Sequence, residues 1–143
     1  MNTKKTYESC LKKQEELIQL FSKMGSFEEK YQYIIDLGKK APPLAPEDKN
    51  EESRVYGCQS RLFLKTSMKE GNCFFQTEAD ALISQGLGVL LTMVYSGEPP
   101  EAVLLCPPTF FEKIGLTDHL SPSRVQGVGS LYTKMKKEVL KFI

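Results

Sequence analysis

From Arg61 onward the side chains of this chain alternate, with Leu62, Leu64, Thr66 and Met68 on one side and Arg61, Phe63, Lys65 and Ser67 on the other. A period of two marks a strand that lays one face on a core. Lys69-Glu70-Gly71-Asn72 supplies turn formers, and Cys73-Phe74-Phe75-Gln76-Thr77 returns as a second strand, so the pair reads as an antiparallel hairpin. Val55 and Tyr56 are expected to add a short strand just ahead of it.

On either side of the hairpin the spacing is helical. Residues 5–24 carry Tyr7, Leu11, Ile18 and Phe21 on one face of an amphipathic helix. Ser26-Phe27-Glu28-Glu29 is a capping box that opens a second helix, with Phe27, Tyr31, Ile34 and Ile35 inward and a stop expected near Gly38. The proline- and charge-rich residues 40–53 read as an exposed connector, because too little chain precedes them for a separate core. Residues 79–96 read as a buried helix in which Gly86 and Gly88, each costing about 1 kcal/mol of propensity, are expected to admit another element closely. Short helices are expected around 101–105 and 109–114. Ser121-Pro122 then reads as an N-cap with proline at the first helical position, opening a helix to the C-terminus. The sum is an α+β domain: a small antiparallel sheet of about three strands packed among several helices.

With 143 residues the whole chain is expected to form one domain, able to bury roughly two-thirds of its surface without a metal or disulfide. Nineteen Lys and Arg against eighteen Asp and Glu leave no field to attract nucleic acid or an anionic membrane. The polar start, MNTKKTYESC, does not read as a signal peptide, and no apolar run approaches the roughly 20 residues of a membrane span. The cytoplasm is therefore the expected compartment, and Cys10, Cys58, Cys73 and Cys106 are expected to be free thiols. With no CxxC and one histidine, no metal site is expected.

Cys10, Cys73 and Cys106 have the neighbours of small buried hydrophobes. Cys58 differs. It lies in Gly57-Cys58-Gln59-Ser60, where Gly57 permits a bend and Gln59 and Ser60 offer donors to a thiolate or a bound sulfur. A thiol on such a bend can be tucked away or presented. A cysteine hydrolase or thiol reductase would need a base, and His119 (with Asp118) is the candidate; adjacent Asp and His side chains usually point apart, and a loop histidine is more often solvated surface. Arg124 opens the last helix, either as a solvated charge or as a cation that steadies an anionic sulfur or a partner's carboxylate.

Taken together, several blocks resemble the SufE/CsdE family of sulfur-acceptor proteins. They are Phe27-Glu28-Glu29-Lys30-Tyr31 with Ile34-Ile35-Asp36-Leu37-Gly38, Val55-Tyr56-Gly57-Cys58-Gln59-Ser60, Asp80-Ala81 with Gly86-Leu87, and Leu120-Ser121-Pro122-Ser123-Arg124 with Gly127. They run in the family's order from about residue 26 onward. The resemblance implies a SufE/IscU-like fold in which Cys58 carries a persulfide, within a loop of Gly57, Gln59 and Ser60, with Asp80 and Arg124 nearby. It implies a SufS- or CsdA-like cysteine desulfurase as donor and a SufBCD-like iron–sulfur scaffold as acceptor. Pyridoxal phosphate would belong to the desulfurase and the chain would hold no cofactor of its own, acting as a carrier and activator, as a monomer or a homodimer. One departure stands out: the family commonly has tryptophan where this chain has Phe27 and Phe63. Both swaps keep an aromatic ring, so they bear on packing and leave the reaction untouched.

Overall fold

A computed structural model describes residues 7–143. Among the described residues six α-helices surround one two-stranded antiparallel sheet: α1 (Glu8–Ser22), α2 (Phe27–Lys40), β1 (Leu62–Lys69), β2 (Asn72–Ala79), α3 (Leu82–Tyr95), α4 (Pro100–Leu105), α5 (Phe110–Lys113) and α6 (Pro122–Leu140). The α+β class stands, with one strand fewer than expected. Arg54 forms a single antiparallel bridge to Phe63, and Val55 N–H donates to the Leu62 carbonyl. Gly57 then turns at φ +86 and ends the pairing before it becomes a ladder.

The hairpin register runs from Leu62 opposite Ala79 to Lys69 opposite Asn72. Its two-residue turn has Glu70 and Gly71 at φ 53 and 84, the doubly left-handed geometry whose twist matches that of the strands. Leu62 and Leu64 face the core as the alternation demands. Phe63, on the opposite face, is buried too, beneath the Arg54 and Arg61 guanidinium groups. The connector is fastened to that same face. Leu44 is buried with its N–H donating to Glu78, while Lys49 pairs with Glu78 and Lys65 with Asp48.

The centre of the molecule is α3, apolar over most of its girth, against which α2, β2, α6 and α1 pack. Two glycines set the approach of α2. A Cβ on Gly86 would collide with the Ile34 carbonyl, and one on Gly38 would lie 2.7 Å from Gly86 N. Gly38 is thus a packing position inside α2, which runs on to Lys40, and not the helix stop its sequence suggested. Gly88 makes room in the same way for Thr77 of β2.

Both expected caps form: Ser26 Oγ accepts from Glu29 N–H, and Ser121 Oγ from Arg124 N–H. In α1 the buried stripe is Cys10, Gln14, Leu17 and Phe21; Leu11 is exposed, and the expected start at Lys5 lies outside the described residues. Gln14 can be buried because its amide is satisfied. It donates to the Pro107 carbonyl and the Cys106 sulfur and accepts from Phe110 N–H. Glu98, in the turn after α3, is buried as well, paired with Lys13 at 2.7 Å and accepting from Ser9 Oγ. Among the described residues no helix is long and apolar enough to cross a membrane.

Candidate functional site: the Cys58 loop

Two stems hold the loop 56–61 at its base. Val55 N–H donates to Leu62 O and Leu64 N–H to Ser53 O, each at 2.8 Å. Asp80 completes the clamp: its Oδ1 accepts from Arg61 N–H at 2.9 Å, and its own N–H donates to Arg61 O. Asp80 therefore fixes the exit of the loop and does not line the space around the thiol. The tip is fastened to α6, where Ser130 Oγ donates to Gly57 O at 3.3 Å. A Cβ on Gly57 would stand 2.6 Å from Ser130 Oγ, so both the positive φ and the close approach favour glycine.

Cys58 is half-buried, its Sγ 3.6 Å from the Gly127 carbonyl on α6. Gly127 makes this approach possible, since a Cβ there would lie 3.1 Å from Sγ. Beside the sulfur is a cavity of about 20 Å³, lined by Gln59, Ser60 and Arg124 on its polar side and by Leu62, Leu87 and Leu131 among the apolar residues. That is room for one water-sized guest, whose need is roughly 10–15 Å³. Gln59, Ser60 and Arg124, all singled out in the sequence, therefore meet here. The Arg124 Nε is buried and has no hydrogen-bond partner.

Burial pushes the Cys58 thiol above its ordinary range, and the Arg54 guanidinium partly opposes that rise. Arg54 is the functional candidate that motif reasoning missed. It carries no motif of its own, and only the bridge to Phe63 brings it beside the loop. His119 does not line the cavity; its ring is exposed and stacked on Phe27 with centroids 4.4 Å apart. The other three cysteines are fully buried free thiols. Cys10 is held far above the usual thiol range by its hydrogen bond with Cys106 and then by burial, and burial pushes Cys73 up to about 11. Among the described residues no three His, Cys, Asp or Glu side chains converge as metal ligands would.

The site is thus one shielded, cation-flanked thiol at the tip of a clamped loop, with space for a single further atom and no base at hand. Such a thiol can exchange at sulfur once presented to a donor; it is not arranged for hydrolysis. A family model described as "SufE: Fe-S metabolism associated domain" matches residues 15–139. A solved structure, the solution structure of a hypothetical protein from Thermus thermophilus, is similar over 90% of this chain and 94% of its own, at 27% identity and a TM-score of 0.75.

Proposed function

Because this chain belongs to the SufE family, with its role in iron–sulfur metabolism, we propose that Cys58 is a sulfur carrier loaded by a pyridoxal-phosphate-dependent cysteine desulfurase of the SufS or CsdA kind. The Cys58 thiolate attacks the outer sulfur of the desulfurase persulfide. The bond between that sulfur and the desulfurase cysteine breaks, and the desulfurase thiolate leaves. The sulfane sulfur keeps its oxidation level, so no external oxidant or reductant enters, and the proton lost by Cys58 is balanced by the one the leaving thiolate takes up. A good leaving anion needs no neighbouring acid, which suits a loop with no histidine beside the thiol. The reverse exchange passes the sulfur to a scaffold of the SufBCD kind.

The observation that carries this reading is the cavity beside Cys58 Sγ. Its size suits one extra sulfur, its apolar wall keeps reductant and water away, and Arg124 on its polar side brings a cation to it. Burial keeps the resting thiol protonated, so reaction requires the loop to swing outward on its clamped stems to the partner. Gly57 is the hinge, Gln59 and Ser60 the polar rim, and Asp80 the clamp that limits the motion. The chain is then a carrier and activator, working in the cytoplasm without a cofactor of its own.

The test is stimulation of a SufS-type desulfurase by the parent chain and by Cys58→Ser. The serine variant is expected to keep its fold and lose all stimulation. Equal stimulation by the two would end the proposal.

A further inference from the structure

The Cys58 loop borders a second concavity: a groove of about 550 Å³ between residues 54–56 and the outer face of α6. Arg54, Lys134 and Lys137 line it together with Tyr56, Ser130 and Thr133, and no acidic side chain is among its lining residues. We propose that this groove receives an acidic segment of the desulfurase that loads Cys58, a docking role that rests on the carrier function proposed above.

Three observations carry it. First, the cations are unspent. Lys13, Lys49, Lys65 and Lys141 each hold a carboxylate within 3.0 Å, whereas among the described residues Arg54, Lys134 and Lys137 hold none. Second, Arg54 is pre-oriented without an acid. Its guanidinium stands 5.4 Å from the Tyr56 ring and 5.9 Å from that of Phe63, and its Nε is buried with no hydrogen-bond partner. A guanidinium fixed by aromatic faces is ready to meet a carboxylate with little further loss of freedom. Third, the groove is coupled to the thiol. Ser130, in its wall, donates to Gly57 O, and Arg54 is the cation that acts on Cys58. A segment seated here touches the tether that holds the loop against α6.

The occupant follows from the charge. Three cations in a chain of net charge +1 suit a few carboxylates on a short peptide, not the long phosphate track that nucleic acid needs. Tyr56, 64% exposed at the groove edge, offers the flat amphipathic contact common at protein interfaces.

The experiment compares the parent with the double variant Lys134→Glu/Lys137→Glu, whose side chains lie outside the Cys58 cavity. Sulfur loading of Cys58 is followed by mass spectrometry from two donors, a SufS-type desulfurase with cysteine and the small molecule glutathione persulfide. The double variant is expected to load at least about tenfold more slowly from the desulfurase at low salt, with the gap narrowing as salt is raised. Loading from glutathione persulfide is expected to be unchanged. Hexaglutamate added to the labelled parent is expected to shift the amides of Tyr56, Ser130 and Lys134 and to slow enzymatic loading. Equal enzymatic loading of the two proteins, an equal loss from both donors, hexaglutamate shifts elsewhere, or tighter binding of an oligonucleotide than of hexaglutamate would each overturn the proposal. If neither donor sulfurates the parent at Cys58, the carrier function fails and this docking role falls with it; if only the donor comparison comes out equal, the carrier function stands.

Discussion

Replacing Gly127 by alanine separates the stability of this fold from the protection of its thiol. The new Cβ would lie 3.1 Å from Cys58 Sγ and 3.8 Å from Cys58 Cβ. Non-bonded heavy atoms settle at roughly 3.5–4.0 Å, so the sulfur must retreat by about half an ångström or more. It would leave the Gly127 carbonyl it now meets at 3.6 Å, and the methyl would encroach on a cavity of only about 20 Å³. Against this, glycine within α6 gives up about 1 kcal/mol of helix propensity that alanine recovers. The two effects oppose each other, so net stability is expected to stay within about 1 kcal/mol of the parent. The thiol has no such compensation. Moved outward it loses the burial that holds it protonated and keeps the Arg54 field that favours the thiolate. Iodoacetamide labelling at neutral pH, read by intact mass beside a urea melt, is expected to run several-fold faster at Cys58 with an almost unchanged midpoint. Labelling at the parent rate in a folded variant would mean that α6 does not hold the sulfur in its cavity.

Gly86→Ala should behave in the opposite way. Its Cβ meets the backbone carbonyl of Ile34, which cannot swing aside, so a urea melt is expected to show a loss of about 2–4 kcal/mol. Gly129→Ala, with nothing within 4 Å, is expected to gain up to about 1 kcal/mol in the same assay. Cys73 makes stability fall at alkaline pH. Below pH 9 the thiol is protonated in both states, whereas between 9 and about 11 only the unfolded chain ionises, drawing away about 3 kcal/mol in total. Cys73→Ala is expected to flatten that slope in melts taken across the window, whatever it costs at neutral pH. Lys13→Met would leave the Glu98 carboxylate buried without its cation, with an expected loss of about 3 kcal/mol at pH 7 by urea titration.

What the sequence disclosed and what it hid divide by range. The hairpin, its Glu70-Gly71 turn and the caps at Ser26 and Ser121 depend on a few neighbouring residues, and all were legible. The face of α1 was not. Periodicity places polar residues outside, yet Gln14 is buried because α5 and the residues just before it satisfy its amide. Gly38 misled for a related reason: a glycine that ends a helix and one that lets another helix approach look alike until the partner, Gly86, is in place. At the site, Cys58 with Gln59 and Ser60 stood out through its polar, glycine-flanked setting. Arg54 did not, because its proximity to the loop arises from a single bridge to Phe63, on a strand that begins only after the loop has closed.

The most direct measurement is the intact mass of the chain after incubation with a SufS-type desulfurase, pyridoxal phosphate and cysteine, followed by digestion. A gain of about 32 Da confined to the peptide that holds Cys58, reversed by a thiol reductant, is the expected result. No gain at all, or the added sulfur on Cys10, Cys73 or Cys106, would contradict the assignment of this loop as the carrier.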